Sequence, residues 1–200
     1  GQVFGGWARL RVTGPAGSRI TLRYATHVFS NDANLADIID RDVRAGHATR
    51  VIAEPGLVDK RHHHGADGAT DVYVLRGDPA GECYEPHFAF HPVRYVQVEG
   101  YPGEPTLADL DGCMVYSSVD MTGDFQCSNP LLNQIHRNCV NTFTNTVLGI
   151  EIDCLYREHW GWLDPASDAS VLFARRFMPR FWEKFLSDAQ WTQHPDGVVP

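Results

Sequence analysis

Between residues 7 and 25, apolar and polar positions alternate one by one. Ala8, Leu10 and Val12 stand against Arg9, Arg11 and Thr13; after the turn residues "GPAG", Ile20, Leu22 and Tyr24 stand against Thr21 and Arg23. A period of two sends successive side chains to opposite faces of a strand, so the stretch predicts a β-hairpin with one buried face. Further strands are expected at "TDVYVLRG", at "HPVRYVQVEG" and near "DGCMVYSS". Short strands punctuated by Gly and Pro predict a β-sandwich. Residues 30–70 interrupt the rhythm with a polar, Asp-rich insertion. It is too long for a hairpin loop, which makes it an extra small element or a functional loop.

After about residue 120 the period lengthens. "SNPLLNQIHRNCVNTFTNTVLG" offers Asn129 as N-cap and Pro130 at the first helical position. Leu131, Leu132, Ile135, Cys139, Phe143 and Val147 recur at helical spacing, and Gly149 is expected to close the helix. "DASVLFARRF" reads as a second helix, and Pro179 opens a third marked by Phe181, Trp182, Phe185, Leu186 and Ala189. The pattern predicts two domains, a sandwich over 1–118 and the opening of an all-helical domain over 119–200. Three helices this rich in Phe and Trp leave an apolar face uncovered, so the helical domain is expected to be truncated. A start at Gly1 without methionine fits a fragment, and the lack of a signal peptide is uninformative about compartment.

Composition narrows the function only slightly. With 43% hydrophobic and 21% charged residues, the 200-residue chain has the make-up of a soluble globular protein with a sizeable core. No apolar run approaches the roughly 20 residues that span a bilayer. A net charge of −8 argues against nucleic acid or an anionic membrane as partner. The cysteines at 83, 113, 127, 139 and 154 form no CxxC pair. Their odd number and spacing suggest neither a disulfide framework nor a zinc site, and they read as mostly small buried residues. His62, His63 and His64 are consecutive and cannot all face one ion, so an exposed loop is expected there. Ser117, Ser118 and Ser128 lack a nucleophile-elbow context, and glycine-rich phosphate loops are absent.

The chemistry concentrates in "DCLYREHWGWLD", residues 153–164. If this is a loop between helices, Asp153, Glu158 and Asp164 can converge on one pocket walled by Trp160 and Trp162. Indole faces bind the apolar faces of sugar rings, and carboxylates accept hydrogen bonds from sugar hydroxyls. A carboxyl held against tryptophan is desolvated and stays protonated as a general acid. Those are the requirements for cleaving a glycosidic bond. The same residues also fit a structural arrangement, with Arg157 paired to Asp153 or Glu158 and both tryptophans in the core. Composition alone leaves both open.

The order of these residues is more specific. "DCLYREHWGWLD" resembles the signature D-C-P-x-R-E-x-x-G-W of the bacterial α-L-rhamnosidases, an inverting glycoside hydrolase family, through Asp153, Cys154, Arg157, Glu158, Gly161 and Trp162. "GQVFGGWARLRVTGPAGSRITLRYA" and "EPHFAFHPVRYVQVEG" look like that family's β-sandwich, and "SSVDMTGDFQCSNPLLNQIHRNCVNTFTN" like its entry into an (α/α)6 barrel. The resemblance implies a multidomain chain, a β-sandwich followed by the N-terminal part of an all-α (α/α)6 barrel. It implies Glu158 as general acid and Asp153 as the carboxylate holding rhamnose hydroxyls. Arg157 and Trp162 fall on pocket-lining positions, and Asp164 lies at or beside another sugar-binding acid. The family's general base is a glutamate expected beyond residue 200. The implied partner is a rhamnosylated glycoside or polysaccharide, with no organic cofactor; a structural calcium ion is compatible with the family, but nothing in the sequence specifies one.

Departures surround the general acid. Leu155 and Tyr156 replace the usual proline and its polar neighbour, His159 and Trp160 are unusual, and Pro165 follows Asp164. Tyr156, His159 and Trp160 are read as subsite contacts for sugar. Two alternatives stand beside hydrolysis. One is β-elimination of a rhamnosyl-glucuronate, with Tyr156 or His159 as base and Arg157 neutralising the uronate. The other is a non-catalytic carbohydrate-binding protein.

Overall fold

The computed structural model describes residues 2–28, 58–59, 69–118, 124–155, 159–162 and 179–199. The chain divides into two compact units, Gly1–Met114 and Val115–Pro200. In the first, β1 (Phe4–Val12) and β2 (Arg19–Ala25) alternate in burial as their sequences require. They do not form the expected hairpin. β1 is the middle of one antiparallel sheet, with β9 (Leu110–Met114) along one edge. Its other edge is shared by β7 (His91–Val93) at Phe4–Gly6 and β6 (Glu82–Tyr84) at Leu10–Val12. β2 is the middle of a second sheet, between β5 (Thr70–Val74) and β8 (Tyr95–Glu99). Alternation reports which face of a strand is buried but says nothing about which edge is paired.

The two buried faces meet each other. Ala8, Leu10 and Val12 of β1 pack with Ile20, Leu22 and Tyr24 of β2 in one cluster that includes Ala69, Leu75 and Val93. Each fully buried Leu or Ile contributes roughly 1.5–3 kcal/mol, and this shared core makes the pair of sheets a sandwich. The stretch expected as one strand at 91–100 is two strands, one in each sheet. His91, Pro92 and Val93 are buried in succession, as a strand passing between the layers requires. Pro92, without an N–H, sits on a sheet edge. Of the expected insertion at 30–70, the described residues include Val58–Asp59 (β4), which pairs with His27–Val28 (β3).

A buried polar group ties the layers together. The Tyr24 hydroxyl donates to Asp71 Oδ2 at 2.7 Å and accepts from the Ala8 N–H at 3.3 Å. His91 Nε2 lies 3.0 Å from Asp71 Oδ1, and the His91 ring stacks on Tyr24 at 4.3 Å. Burial, and then the neighbouring Asp71 charge, push the Tyr24 phenol far above its usual range. Tyr24 and Asp71 belong to one sheet, Ala8 and His91 to the other, so the group fixes how the sheets lie on each other.

Glu82 organises the 76–81 turn in a similar way. Its buried carboxylate accepts from the Tyr73 hydroxyl at 2.6 Å and from the N–H groups of Arg76, Gly77 and Asp78 at 3.1, 2.9 and 3.3 Å. The Tyr73 hydrogen bond, followed by the Arg76 N–H, holds its pKa down at about 2, against an ordinary 4.5. A depressed carboxyl stabilises the fold above its unfolded pKa and loses that contribution as pH falls through the folded value. Urea melts should therefore show stability declining as pH falls from 4.5 towards 2. Glu82→Gln should be less stable at neutral pH and should lack this part of the acid decline; an unchanged acid slope in the variant would count against the role.

In the second unit, α1 (Pro130–Thr146) begins where the sequence places it. The Asn129 side chain accepts from the Leu131 N–H, and Pro130 occupies the first turn. α2 (Pro179–Thr192) starts at Pro179. Phe143 and Val147 are buried, with Phe181 and Trp182 packed against them. Leu131, Leu132, Ile135, Leu186 and Trp191 are exposed. No described helix is long and apolar enough to cross a membrane. The five cysteines are not buried as expected: Cys83 is exposed and the other four are partly exposed. Cys83 takes the outward position of β6, between inward-facing Glu82 and half-buried Tyr84. The expected helix "DASVLFARRF" and the run His62 to His64 lie outside the described residues.

Candidate active site

The last turn of α1 is polar yet buried, and it meets this cost from its own backbone. Thr144 Oγ1 donates to the Val140 carbonyl at 2.8 Å, Asn145 Nδ2 to Asn141 at 2.8 Å and Thr146 Oγ1 to Phe143 at 3.0 Å. The helix stops at Thr146, because Val147 is extended and opens β10 (Val147–Leu148). Gly149, expected to close the helix, instead turns the chain into β11 (Ile150–Glu151) with φ +76°. β-branched Val147 and Ile150 favour strand over another helical turn.

This small hairpin is held from three directions. Val147 pairs with Glu151 across it. The Ser117 N–H donates to the Val147 carbonyl at 2.7 Å, while Ser117 Oγ accepts the Gly149 N–H at 2.7 Å. The Ile152 N–H donates to the Thr146 carbonyl at 2.9 Å. The chain therefore leaves the hairpin at Asp153 from a fixed point.

From there the polar stretch folds back on itself. The Asp153 N–H donates to the Trp160 carbonyl at 3.2 Å. His159 Nε2 lies 2.9 Å from the Leu155 carbonyl. A carbonyl only accepts, so Nε2 carries the hydrogen in this contact. Asp153 Oδ1 is buried with no hydrogen-bond partner among the described residues. The Trp160 and Trp162 rings lie 6.1 Å apart, tilted by 32°. They are 65% and 45% exposed, so in this structure they are not the core residues of the structural alternative. Of the residues picked out from sequence, Asp153, His159, Trp160 and Trp162 share this loop. Tyr156, Arg157, Glu158 and Asp164 lie outside the described residues.

Beside the loop is a cavity of about 630 Å³, lined by Ile150, Trp160, Trp162, Phe185, Asp188 and Thr192 among others. Gly161 is part of its wall: a Cβ there would come within 2.8 Å of Ile150 Cδ1. Ile150, Asp188 and Thr192 carry no motif, and nothing in the sequence marks them for this wall. Buried Glu151 was equally silent within an apolar run. Among the described residues, no three His, Cys, Asp or Glu side chains cluster as a metal site would need.

Comparison with known families places the chain in a class that joins a concanavalin-like domain to a six-hairpin glycosidase domain. Residues 1–116 match the bacterial alpha-L-rhamnosidase concanavalin-like domain, and residues 120–200 the bacterial alpha-L-rhamnosidase 6 hairpin glycosidase domain. The chain belongs to the bacterial alpha-L-rhamnosidase family. It is 31% identical to an alpha-L-rhamnosidase of Streptomyces avermitilis over 99% of its own length and 17% of that protein's. Among solved structures it is similar to alpha-L-rhamnosidase from Dictyoglumus thermophilum, with TM-score 0.81 and 32% identity, covering 99% of this chain and 20% of that one. It is also similar to the Streptomyces avermitilis alpha-L-rhamnosidase complexed with L-rhamnose, with TM-score 0.78 and 30% identity, covering 99% and 17% of the two chains. The chain thus spans about a sixth of the length of the curated relatives it matches.

The hairpin that launches the loop rests on a glycine in left-handed backbone geometry. Space around its missing Cβ is open, so a side chain there meets strain alone. Gly149→Ala should destabilise the protein by about 1–2 kcal/mol in chemical denaturation. Gly149→Asn should cost less, because asparagine tolerates this region better than alanine.

Proposed function

We propose that the protein carrying this chain is a glycosidase that releases terminal α-L-rhamnose from a glycoside or polysaccharide with inversion. The observation that carries this reading is the ordered set Asp153, Cys154, Arg157, Glu158, Gly161 and Trp162, in a chain whose two parts match the two rhamnosidase domains. A relative similar over nearly the whole chain was solved in complex with L-rhamnose, which supports rhamnose as the sugar. Glu158 is the general acid that protonates the leaving-group oxygen. Asp153 accepts hydrogen bonds from the sugar hydroxyls, with Arg157, Trp162 and Asp164 around the ring and Tyr156, His159 and Trp160 as subsite contacts. A second carboxylate outside this chain activates water on the opposite face, about 6.5–9.5 Å from the acid in an inverting enzyme. The scheme calls for no organic cofactor.

The test needs this chain together with a complete six-hairpin domain. Glu158→Gln should lower turnover by at least about two orders of magnitude on alkyl rhamnosides, the range of a lost general acid. The loss should shrink on aryl rhamnosides with acidic leaving groups, whose oxygen needs less protonation; a uniform loss would indicate a structural role.

The product decides the reaction type. Hydrolysis adds water, so both sugars leave saturated and rhamnose appears first as its inverted anomer in NMR spectra. Elimination adds no water and leaves a C4–C5 double bond that absorbs in the ultraviolet. An unsaturated product from a rhamnosyl-glucuronate, with no cleavage of an aryl rhamnoside, would overturn the hydrolase reading.

A further inference from the structure

The hairpin that launches the polar loop is tied to a residue 32 positions before its turn. The Ser117 N–H donates to the Val147 carbonyl and Ser117 Oγ accepts the Gly149 N–H, each at 2.7 Å. One residue thus grips both the first strand of the hairpin and its turn. Gly149 has left-handed geometry at φ +76°, and open space surrounds the position its Cβ would take. No side chain packs on the turn there, so its shape depends on where the Gly149 N–H finds its acceptor. Beyond the turn, Ile152 is buried and its N–H donates to the Thr146 carbonyl at 2.9 Å. Asp153 follows directly, with Oδ1 buried. Only three residues separate Gly149 from Asp153, so a shift of the turn is passed to that carboxylate along a short run of chain.

We infer that Ser117 is a positioning residue for the sugar site, setting through the Gly149 turn where the Asp153 carboxylate stands. The inference rests on the rhamnosidase reading above, in which Asp153 accepts hydrogen bonds from the sugar hydroxyls, and it places part of that grip on a residue outside the signature. Hydrogen bonds weaken steeply with distance and angle. A binding constellation therefore has to be held within about 0.5 Å of its productive geometry by the residues behind it. The side chain of Ser117 adjusts this geometry without holding up the fold. Its N–H bond to Val147 is a backbone bond and survives a change of side chain. Gly149 is exposed, so its N–H turns to water when Oγ is removed. The turn loosens while the hairpin stays formed.

The experiment varies the acceptor at position 117 within the chain joined to a complete six-hairpin domain. Ser117→Ala removes it, Ser117→Thr keeps a hydroxyl, and Ser117→Cys offers sulfur, a weaker acceptor. KM and kcat are measured on 4-nitrophenyl α-L-rhamnoside, with L-rhamnose as competitive inhibitor. In Ser117→Ala, KM and the rhamnose inhibition constant should rise together by about three- to tenfold, the worth of one hydrogen bond, with kcat moved less. Ser117→Cys should fall between, and Ser117→Thr should stay within about twofold of the unaltered protein. A merely structural role behaves differently: it lowers the fraction of folded enzyme, which reduces apparent kcat and leaves KM and rhamnose inhibition alone. Should Ser117→Ala not fold, Ser117→Cys and Ser117→Thr carry the same comparison. Unmoved constants, a loss in kcat alone, or a Ser117→Thr that falls with the others would each overturn the inference. If the unaltered protein neither cleaves the rhamnoside nor binds L-rhamnose, the rhamnosidase reading fails and takes this one with it. Cleavage by the unaltered protein, with unmoved constants in the variants, fails Ser117 alone.

Discussion

Gly149 holds a backbone conformation that side chains resist, and it holds it between two-residue strands that could not stand unaided. What keeps the turn in place is a set of hydrogen bonds from the backbone and from the Ser117 side chain. The Ser117 N–H meets the Val147 carbonyl, Ser117 Oγ meets the Gly149 N–H, and the Ile152 N–H reaches back to the last helical carbonyl at Thr146. That last bond also satisfies an acceptor which a helix end otherwise leaves open. Because the hairpin is fixed at both ends, Asp153 starts its loop from one place, and Trp160 closes the loop by accepting the Asp153 N–H. A candidate catalytic loop on a hydrogen-bonded hairpin is positioned more tightly than one on a free connection.

The two units reach their order differently. In the sandwich, nine buried residues from both sheets form one core, and a polar group of Tyr24, Asp71 and His91 crosses between the layers. In the helical unit the corresponding core is Phe143 and Val147, with Phe181 and Trp182 against them. α1 and α2 expose Leu131, Leu132, Ile135, Leu186 and Trp191 instead. A helix with an apolar stripe on its surface is built for a neighbour, which suits a domain described as six hairpins. The candidate site thus lies on the unit with the smaller described core, and the larger described core belongs to the sandwich.

Much of this was legible in the chain, and the exceptions share a cause. Alternation at Ala8–Val12 and Ile20–Tyr24 gave the buried faces correctly. It could not show that the faces were turned towards each other across a sandwich, because partners along a strand edge leave no periodic trace. Asn129 and Pro130 marked the start of α1 because capping is local chemistry. Gly149 is ambiguous in the sequence, because a glycine after a helix serves equally as its cap or as a turn, and the bonds to distant Ser117 decide between them. The signature was readable because its order is dense within twelve residues. Of the cavity wall, Asp188 and Thr192 were not, since they come from a helix well downstream and carry no motif.

Two carboxylates of the helical unit show how partners separate structure from chemistry. Asp188 is paired with Lys184 one turn away on its own helix, an exposed ion pair of the kind that contributes little to stability. Asp153 has one buried oxygen that no described group donates to. Leaving such an oxygen unmet costs about 1–3 kcal/mol or more, so a donor is called for. Arg157, four residues on, and a sugar hydroxyl are the two candidates the sequence supplies. They are compatible, since a carboxylate has room for several hydrogen bonds. The ion pair that composition offered as an alternative to an active site is therefore compatible with one.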